Sequence, residues 1–164
     1  MALIVDGARA ADRYLTVAAD ADLPAGGPLL VSLEQWQHWR DELIERGADV
    51  GVRLASDEHP AGLAADIGHL SLIALEFPSF RDGRPYSYAR LLRDRYGFIG
   101  ELRAVGDVLL DQLLYMQRVG FNAFDIAGDD PLGDYQAAVG EFGVVYQQAG
   151  DERIPALHLR HARG

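Results

Sequence analysis

Short apolar segments alternate with helix-like segments along most of this chain, and this alternation constrains the fold more than any other feature. The patterns predict strands at residues 29–31, 50–55, 70–77, 101–105, 121–126 and 144–147. Helices are predicted between and after them, at residues 32–46, 60–67, 85–96, 108–119 and 135–142. Because a helix between two neighbouring strands forms a right-handed crossover, the strands should run parallel. The sequence therefore predicts an α/β fold with a mainly parallel sheet.

Two architectures satisfy this alternation. The first, which we favour from the sequence, is an open sheet with helices on both faces, and the alternative is a partial (β/α) barrel. The length of 164 residues fits a single domain. Within it, residues 1–28 are predicted to form an irregular strand pair and a loop, with a turn at Asp6 and Gly7. Residues 150–164 carry no periodic signal and are interpreted as a tail.

The boundaries of two predicted helices carry capping signals. Ser32 and Gln35 have the spacing of a capping box, and Gly47 follows the last helical residues. Asp107 is placed to cap the helix that is predicted from Val108. These signals predict where each helix begins or ends.

The chain lacks both cysteine and lysine, and this excludes several kinds of site. Without cysteine there are no disulfides, no thiolate zinc sites and no cysteine-ligated iron–sulfur clusters. Without lysine there is no Schiff-base catalysis and no covalent attachment of pyridoxal phosphate. The five histidines show no metal-binding spacing, and no glycine-rich nucleotide motif is present. The sequence therefore predicts neither a cofactor nor a metal site.

Positive charge is concentrated in one region of an acidic chain. The formal net charge is −10, yet residues 81–118 contain seven arginines and five acidic residues. An acidic chain binds nucleic acid poorly, so we expect neither DNA nor RNA as a partner. The first residues do not resemble a signal peptide and no apolar run approaches transmembrane length, so we expect a cytoplasmic protein that does not bind membranes. The arginine cluster indicates a site for an oxyanion or for an acidic partner.

The loops that follow the parallel strands form the candidate site, because ligands of α/β proteins bind beyond the carboxyl ends of the strands. Arg81, Arg84 and Arg103 are expected to converge there on a small oxyanion. Further candidates are Asp107, Asp82 and Tyr86 as catalytic groups, and Arg90 and Asp111 as residues that contact the anion or the partner. Asp107 and Asp111 are predicted to lie one turn apart at the start of the same helix, where two carboxylates could share a proton. The alternative for these two aspartates is structural, as a helix cap and an ion-pair partner.

Two blocks of this sequence resemble a known family. They are FPSFRDGRPYSYARLLRDRYGF, residues 77–98, and GELRAVGDVLLDQLLYMQRVGFNAF, residues 100–124. The family is bacterial and of unknown function, and its members are commonly labelled probable oxidoreductases of sulfite reduction and encoded beside assimilatory sulfite reductase. The polar positions that the resemblance carries over are Arg81, Asp82, Gly83, Arg84, Tyr86, Ser87, Arg90, Arg93, Glu101, Arg103, Gly106, Asp107, Asp111 and Gln112.

Pro85 departs from the family's pattern, in which a small flexible residue follows the arginine. Proline has no backbone N–H, so an anion at this position would have to bind through Arg84 and later amides. The resemblance otherwise implies a role in sulfur assimilation.

Three functional hypotheses follow. The first is an accessory protein of assimilatory sulfite reduction that docks on the reductase or on its electron donor and has an arginine-lined anion site. The second is a small cytoplasmic enzyme, an oxidoreductase among other classes, that acts on an oxyanion. The third is an anion-sensing module without catalysis. The sequence leaves open whether the chain is an enzyme and what its oligomeric state is, with a homodimer as one alternative.

Overall fold

Eight β-strands form one sheet in the computed structural model, which describes residues 1–140. The strand order is β2-β1-β8-β7-β6-β5-β4-β3, with parallel pairing from β3 through β8 and antiparallel pairing of β1 with both β8 and β2. The predicted strand at 144–147 and the tail at 150–164 lie outside the described residues. The strands are β1 (Ala2–Val5), β2 (Ala8–Ala10), β3 (Leu15–Thr16), β4 (Leu29–Ser32), β5 (Val50–Leu54), β6 (Leu72–Phe77), β7 (Glu101–Gly106) and β8 (Ala123–Ile126).

Helical segments connect the parallel strands from β4 to β8. A 3₁₀ helix, Pro60–His69, joins β5 to β6, and a second one, Leu110–Gln112, precedes the helix that leads to β8. A π-helical turn, Leu91–Arg95, extends the helix between β6 and β7. The α-helices are α1 (Leu33–Glu45), α2 (Arg84–Arg90), α3 (Leu113–Val119) and α4 (Pro131–Gly140).

The helices described in residues 1–140 pack on the same face of the sheet. Buried helical side chains such as Trp36 and Met116 belong to one hydrophobic cluster with alternate strand residues such as Val52 and Leu75. The opposite face carries a separate small cluster around Tyr14, to which no helix contributes. Right-handed crossovers between strands in sequential order place every helix on the same face of the sheet. Helices cover both faces only where the strand order reverses direction. The single-domain α/β fold is confirmed, and of the two architectures the partial barrel is the one observed.

A short segment shows how strongly the sheet curls. Residues 11–14, here called the strap, connect Ala10 in β2 to Leu15 in β3, which lie at opposite edges of the sheet. Seven inter-strand steps of about 4.8 Å would separate these edges by about 34 Å in a flat sheet. The five residue steps from Ala10 to Leu15 span at most about 18 Å. The sheet must therefore curl around the strap, which crosses its concave face.

Contacts at several points hold the strap against the sheet. Tyr14 is buried against strand residues of the concave face, and its hydroxyl donates to Ser71 Oγ at 3.0 Å. Arg13 forms an ion pair with Asp49 at 2.6 Å, just before β5. The strap is thus part of the folded structure and covers part of the concave face.

The predicted caps of α1 are confirmed. Ser32 Oγ accepts a hydrogen bond from the Gln35 N–H at 3.1 Å, and Gln35 Oε1 accepts one from the Ser32 N–H at 2.9 Å. The helix ends at Glu45, and Gly47 has a φ of +67°. The turn predicted between β1 and β2 is also present, at Asp6 and Gly7.

Among the helices of residues 1–140, none has both the length and the apolar character needed to cross a membrane.

Candidate functional site

Arg84 and Asp82 form the centre of the polar cluster at the carboxyl edge of the sheet. Arg84 Nη2 donates to Asp82 Oδ2 at 2.6 Å and also to Ser56 Oγ, after β5, at 2.9 Å. These hydrogen bonds from Arg84 hold the pKa of the Asp82 carboxyl well below its usual range. Asp82 is therefore ionised and paired with Arg84, which makes it a weak candidate for a general base near neutral pH.

Asp107 does not cap a helix, contrary to the sequence prediction. The chain turns sharply after β7, where Val108 N–H donates to the Gly106 carbonyl, and α3 begins only at Leu113. The Asp107 carboxylate instead accepts a hydrogen bond from the Phe80 N–H at 2.8 Å. It thereby ties the loop after β6 to the end of β7.

Asp111 and Asp107 are not one turn apart on a helix either. Asp111 lies in the short 3₁₀ turn before α3, where its Oδ2 accepts a hydrogen bond from Gln112 Nε2 at 3.4 Å. The predicted carboxylate pair on one helix face is therefore absent from this segment.

Tyr86 packs within an aromatic group beside these loops. Its ring centroid lies 5.1 Å from those of both Phe77 and Tyr115, and its hydroxyl donates to Gln112 Oε1 at 3.3 Å. Burial raises the pKa of Tyr86. The phenol therefore stays protonated and can act as a hydrogen-bond donor.

The arginines of α2 and its flanking residues divide into two groups. Arg81, Arg84, Arg90 and Arg95 are exposed, and we call this set the arginine face. Arg93 is different: its guanidinium donates to the carbonyl oxygens of Gly120, Phe98 and Gly100 and to the side chain of Asn122. Arg93 is thus a structural residue that joins the end of this helical segment to the turn before β8.

Arg103 lies apart from the arginine face. It points to the concave face, opposite the helices, and its side chain is only 4% exposed between the small residues Ala74 and Ala123 of the adjacent strands. Nη1 contacts Asp12 of the strap at 2.8 Å, and Nε contacts Glu101 at 2.7 Å. The expected convergence of Arg81, Arg84 and Arg103 does not occur, because strand alternation sends Arg103 to the other side of the sheet.

Sequence reasoning missed a row of charges on the concave face. Each of four consecutive parallel strands carries at least one charged side chain on this face, and we call four of them the concave charge row: Arg53, Glu76, Arg103 and Asp125. Glu101 of β7 lies on the same face and binds Arg103. Arg53 and Glu76 form an ion pair at 3.0 Å. The signal was present in the sequence as charged residues inside otherwise apolar strands, at positions that alternate with the core residues.

A cavity of about 240 Å³ opens beside this row. Residues of β1, β2 and the strap line it together with Arg103 and Asp125. Burial raises the pKa of Asp125, and nearby Asp12 acts in the same direction, whereas Arg103 and the α-ammonium group of Met1 act against it. The concave face therefore holds a polar cavity bounded by charges of both signs.

A family model for a bacterial protein family of unknown function, DUF934, matches residues 51–157. The chain belongs to this family. The match begins in β5 and includes both the arginine face and the concave charge row of this DUF934 protein. No curated protein shows significant sequence similarity to it.

The part of this DUF934 protein that the structure describes contains no group of three or more histidine, aspartate or glutamate side chains arranged to hold a metal ion. Candidate groups for binding ligands or partners within residues 1–140 include those of the carboxyl edge, the arginine face and the concave cavity.

Proposed function

We propose that this chain is an accessory protein of assimilatory sulfite reduction that docks on sulfite reductase or on its electron donor. A role in sulfite reduction is supported by the resemblance of the two sequence blocks to proteins that carry the sulfite-reduction label. Support for docking comes from the arginine face, which is the observation that carries this proposal.

The arginine face is a local basic surface on an acidic protein. Arg81 precedes α2, Arg90 ends it, and Arg95 ends the following π-helical turn, and all three side chains are exposed. The net charge of the chain is −10, whereas residues 81–95 contain five arginines and two acidic residues. The two acidic residues, Asp82 and Asp94, pair with Arg84 and Arg90 and leave an excess of positive charge. Complementary charge on a partner speeds encounter and fixes orientation. An acidic surface on the reductase or on its donor is therefore the partner that we expect.

The alternative of an enzyme acting on an oxyanion has less support from the geometry. Arg84 already binds Asp82, so an oxyanion would have to displace that carboxylate. Asp82 is a poor base because it is held ionised by Arg84, and Asp107 accepts a backbone hydrogen bond. These engaged groups favour a surface that recognises a partner over a site that performs proton transfer.

Replacing both Arg90 and Arg95 by alanine is expected to weaken binding to purified reductase or electron donor about tenfold, mainly through slower association, because rim charges act on encounter. Folding should be preserved, since both side chains are exposed and the contact of Arg90 with Asp94 is a 3.6 Å surface pair. Binding is measured by surface plasmon resonance with each partner immobilised separately.

The matched control is the Arg9→Ala/Arg53→Ala variant, which also removes two exposed positive charges, one of them from the partly exposed pair with Glu76. Both residues lie outside the arginine face. It should retain wild-type affinity. Equal weakening in both double variants would show that net charge alone causes the effect. Undiminished binding of the Arg90→Ala/Arg95→Ala variant would refute this docking surface. If the wild-type chain binds neither partner, the proposed function itself fails.

A further inference from the structure

The Arg103 guanidinium has one fixed and one replaceable carboxylate partner. Glu101 comes from the same strand and binds Nε, whereas Asp12 comes from the strap and contacts Nη1 and Nη2 at 2.8 and 3.3 Å. The Asp12 side chain is 46% exposed, while that of Arg103 is 4% exposed. The Nη edge of arginine is a fork that binds carboxylates at two points. Asp12 therefore occupies the place where a free carboxylate would bind, and such an exchange preserves the charge balance of the buried guanidinium.

Asp125 supplies the opposite charge on the next strand. Its side chain lies on the same face as Arg103, since Phe124 and Ile126 on either side of it belong to the helix-covered core. Among residues 1–140 its carboxylate forms no hydrogen bond and no ion pair. A half-buried carboxylate without such a partner gains most from a cationic group that can reach it.

We infer that the concave cavity binds a small α-amino acid, whose carboxylate takes the place of Asp12 on Arg103 and whose ammonium group pairs with Asp125. Both receptor groups border the cavity of about 240 Å³. They lie on adjacent parallel strands, where Asp125 is two residues beyond Ala123, the register partner of Arg103, so their Cα atoms are about 8 Å apart. Because the cavity that both side chains border is small, a ligand must present its two charges close together. An α-amino acid does this across a single carbon atom. This site is on the face opposite the helices and is independent of the docking proposal.

Single-charge ligands should bind much more weakly. A simple carboxylate would displace Asp12 but bring no ammonium group to Asp125, and a simple amine would pair with Asp125 but could not bind the Arg103 guanidinium. Recognition of the zwitterion therefore depends on both contacts together.

Thermal unfolding of the intact chain tests this inference, because a ligand that binds only the folded state raises the melting temperature with concentration. The probes are glycine, L-alanine and L-serine, with propionate and ethylamine as the single-charge analogues of alanine. We expect a concentration-dependent rise with at least one amino acid and none with either analogue. No rise with any of the three amino acids, or an equal rise with ethylamine alone, would overturn the inference.

Three variants test whether the amino acid binds between Arg103 and Asp125. Asp125→Asn should abolish the amino-acid response, because the ammonium partner is lost. Asp12→Asn should lower the melting temperature of the free protein but enlarge the response several-fold, because the competing carboxylate on Arg103 is gone. Asp94→Asn, an exposed acidic residue on the helix side, should leave the response unchanged. A full response in Asp125→Asn, or a smaller response in Asp12→Asn measured by calorimetry below its melting point, would contradict this placement.

Discussion

Replacing Gly106 by alanine is expected to lower the free energy of unfolding by about 3 to 5 kcal/mol, because two costs add at this position. Gly106 has a φ of +91°, which L-residues rarely adopt, and a Cβ atom there would overlap the backbone oxygen of Phe77. A backbone atom in a paired strand cannot move aside as a flexible side chain can. Chemical denaturation with a two-state fit measures the change.

Substitutions at two other glycines distinguish the cost of backbone strain from the cost of steric overlap at Gly106. Gly97 has a φ of +67°, and a Cβ atom added there would meet nothing within 4 Å, so Gly97→Ala should cost only the backbone strain, about 1 kcal/mol. Gly83 has neither a positive φ nor a close neighbour, so Gly83→Ala should be nearly neutral. A loss at Gly106 no larger than that at Gly97 would show that β6 and β7 do not approach as described.

The Arg103→Ala variant is expected to lose about 3 kcal/mol of stability, since removing one member of a buried charge network leaves its partners uncompensated. Asp12 and Glu101 would both lose their cation, and the strap would lose its contact with β7. Denaturant unfolding measures the loss, and increased proteolysis within residues 11–14 would report the freed strap.

Arg53→Ala is the matched control for Arg103→Ala. Arg53 lies on the same face, but its pair with Glu76 is partly exposed, so its loss should cost at most about 1 kcal/mol. The triple variant Arg103→Met/Asp12→Asn/Glu101→Gln removes the whole network and should recover much of the lost stability. Equal losses in Arg103→Ala and Arg53→Ala would contradict the buried role of Arg103.

Local signals allowed much of the fold to be predicted from the sequence. The capping box of Ser32 and Gln35 and the stop at Gly47 define α1 because they act within a few residues. Alternation of strands and helices likewise predicts the parallel sheet. The curl of that sheet could not be predicted, because it depends on how few residues separate β2 from β3 once both have taken opposite edges.

The candidate site was less predictable because its partners are distant in sequence. Arg103 and Asp12 are 91 residues apart, so no local pattern reveals that the strap holds the arginine. Asp107 resembled a helix cap because it follows a strand and precedes apolar residues. Its carboxylate binds the Phe80 N–H instead, 27 residues away. Long-range pairing of this kind overrides a local capping preference.

The arginine face and the concave cavity lie on different sides of the sheet. Arg90 and Arg95 belong to the helical layer, whereas Arg103 and Asp125 face the strap. Variants of one surface should therefore leave the other intact, and docking and ligand binding can be tested separately.

Affinity purification of the tagged chain from its native host, with quantitative mass spectrometry of sulfite reductase and its electron donor, tests the proposed function most directly. We predict that at least one of these proteins is enriched with the wild-type chain and that the enrichment falls in the Arg90→Ala/Arg95→Ala variant. Retained enrichment with the Arg9→Ala/Arg53→Ala variant would exclude a general effect of charge. Absence of both proteins from the wild-type purification, with the chain folded and the reductase expressed, would contradict a role in docking on the sulfite-reducing system.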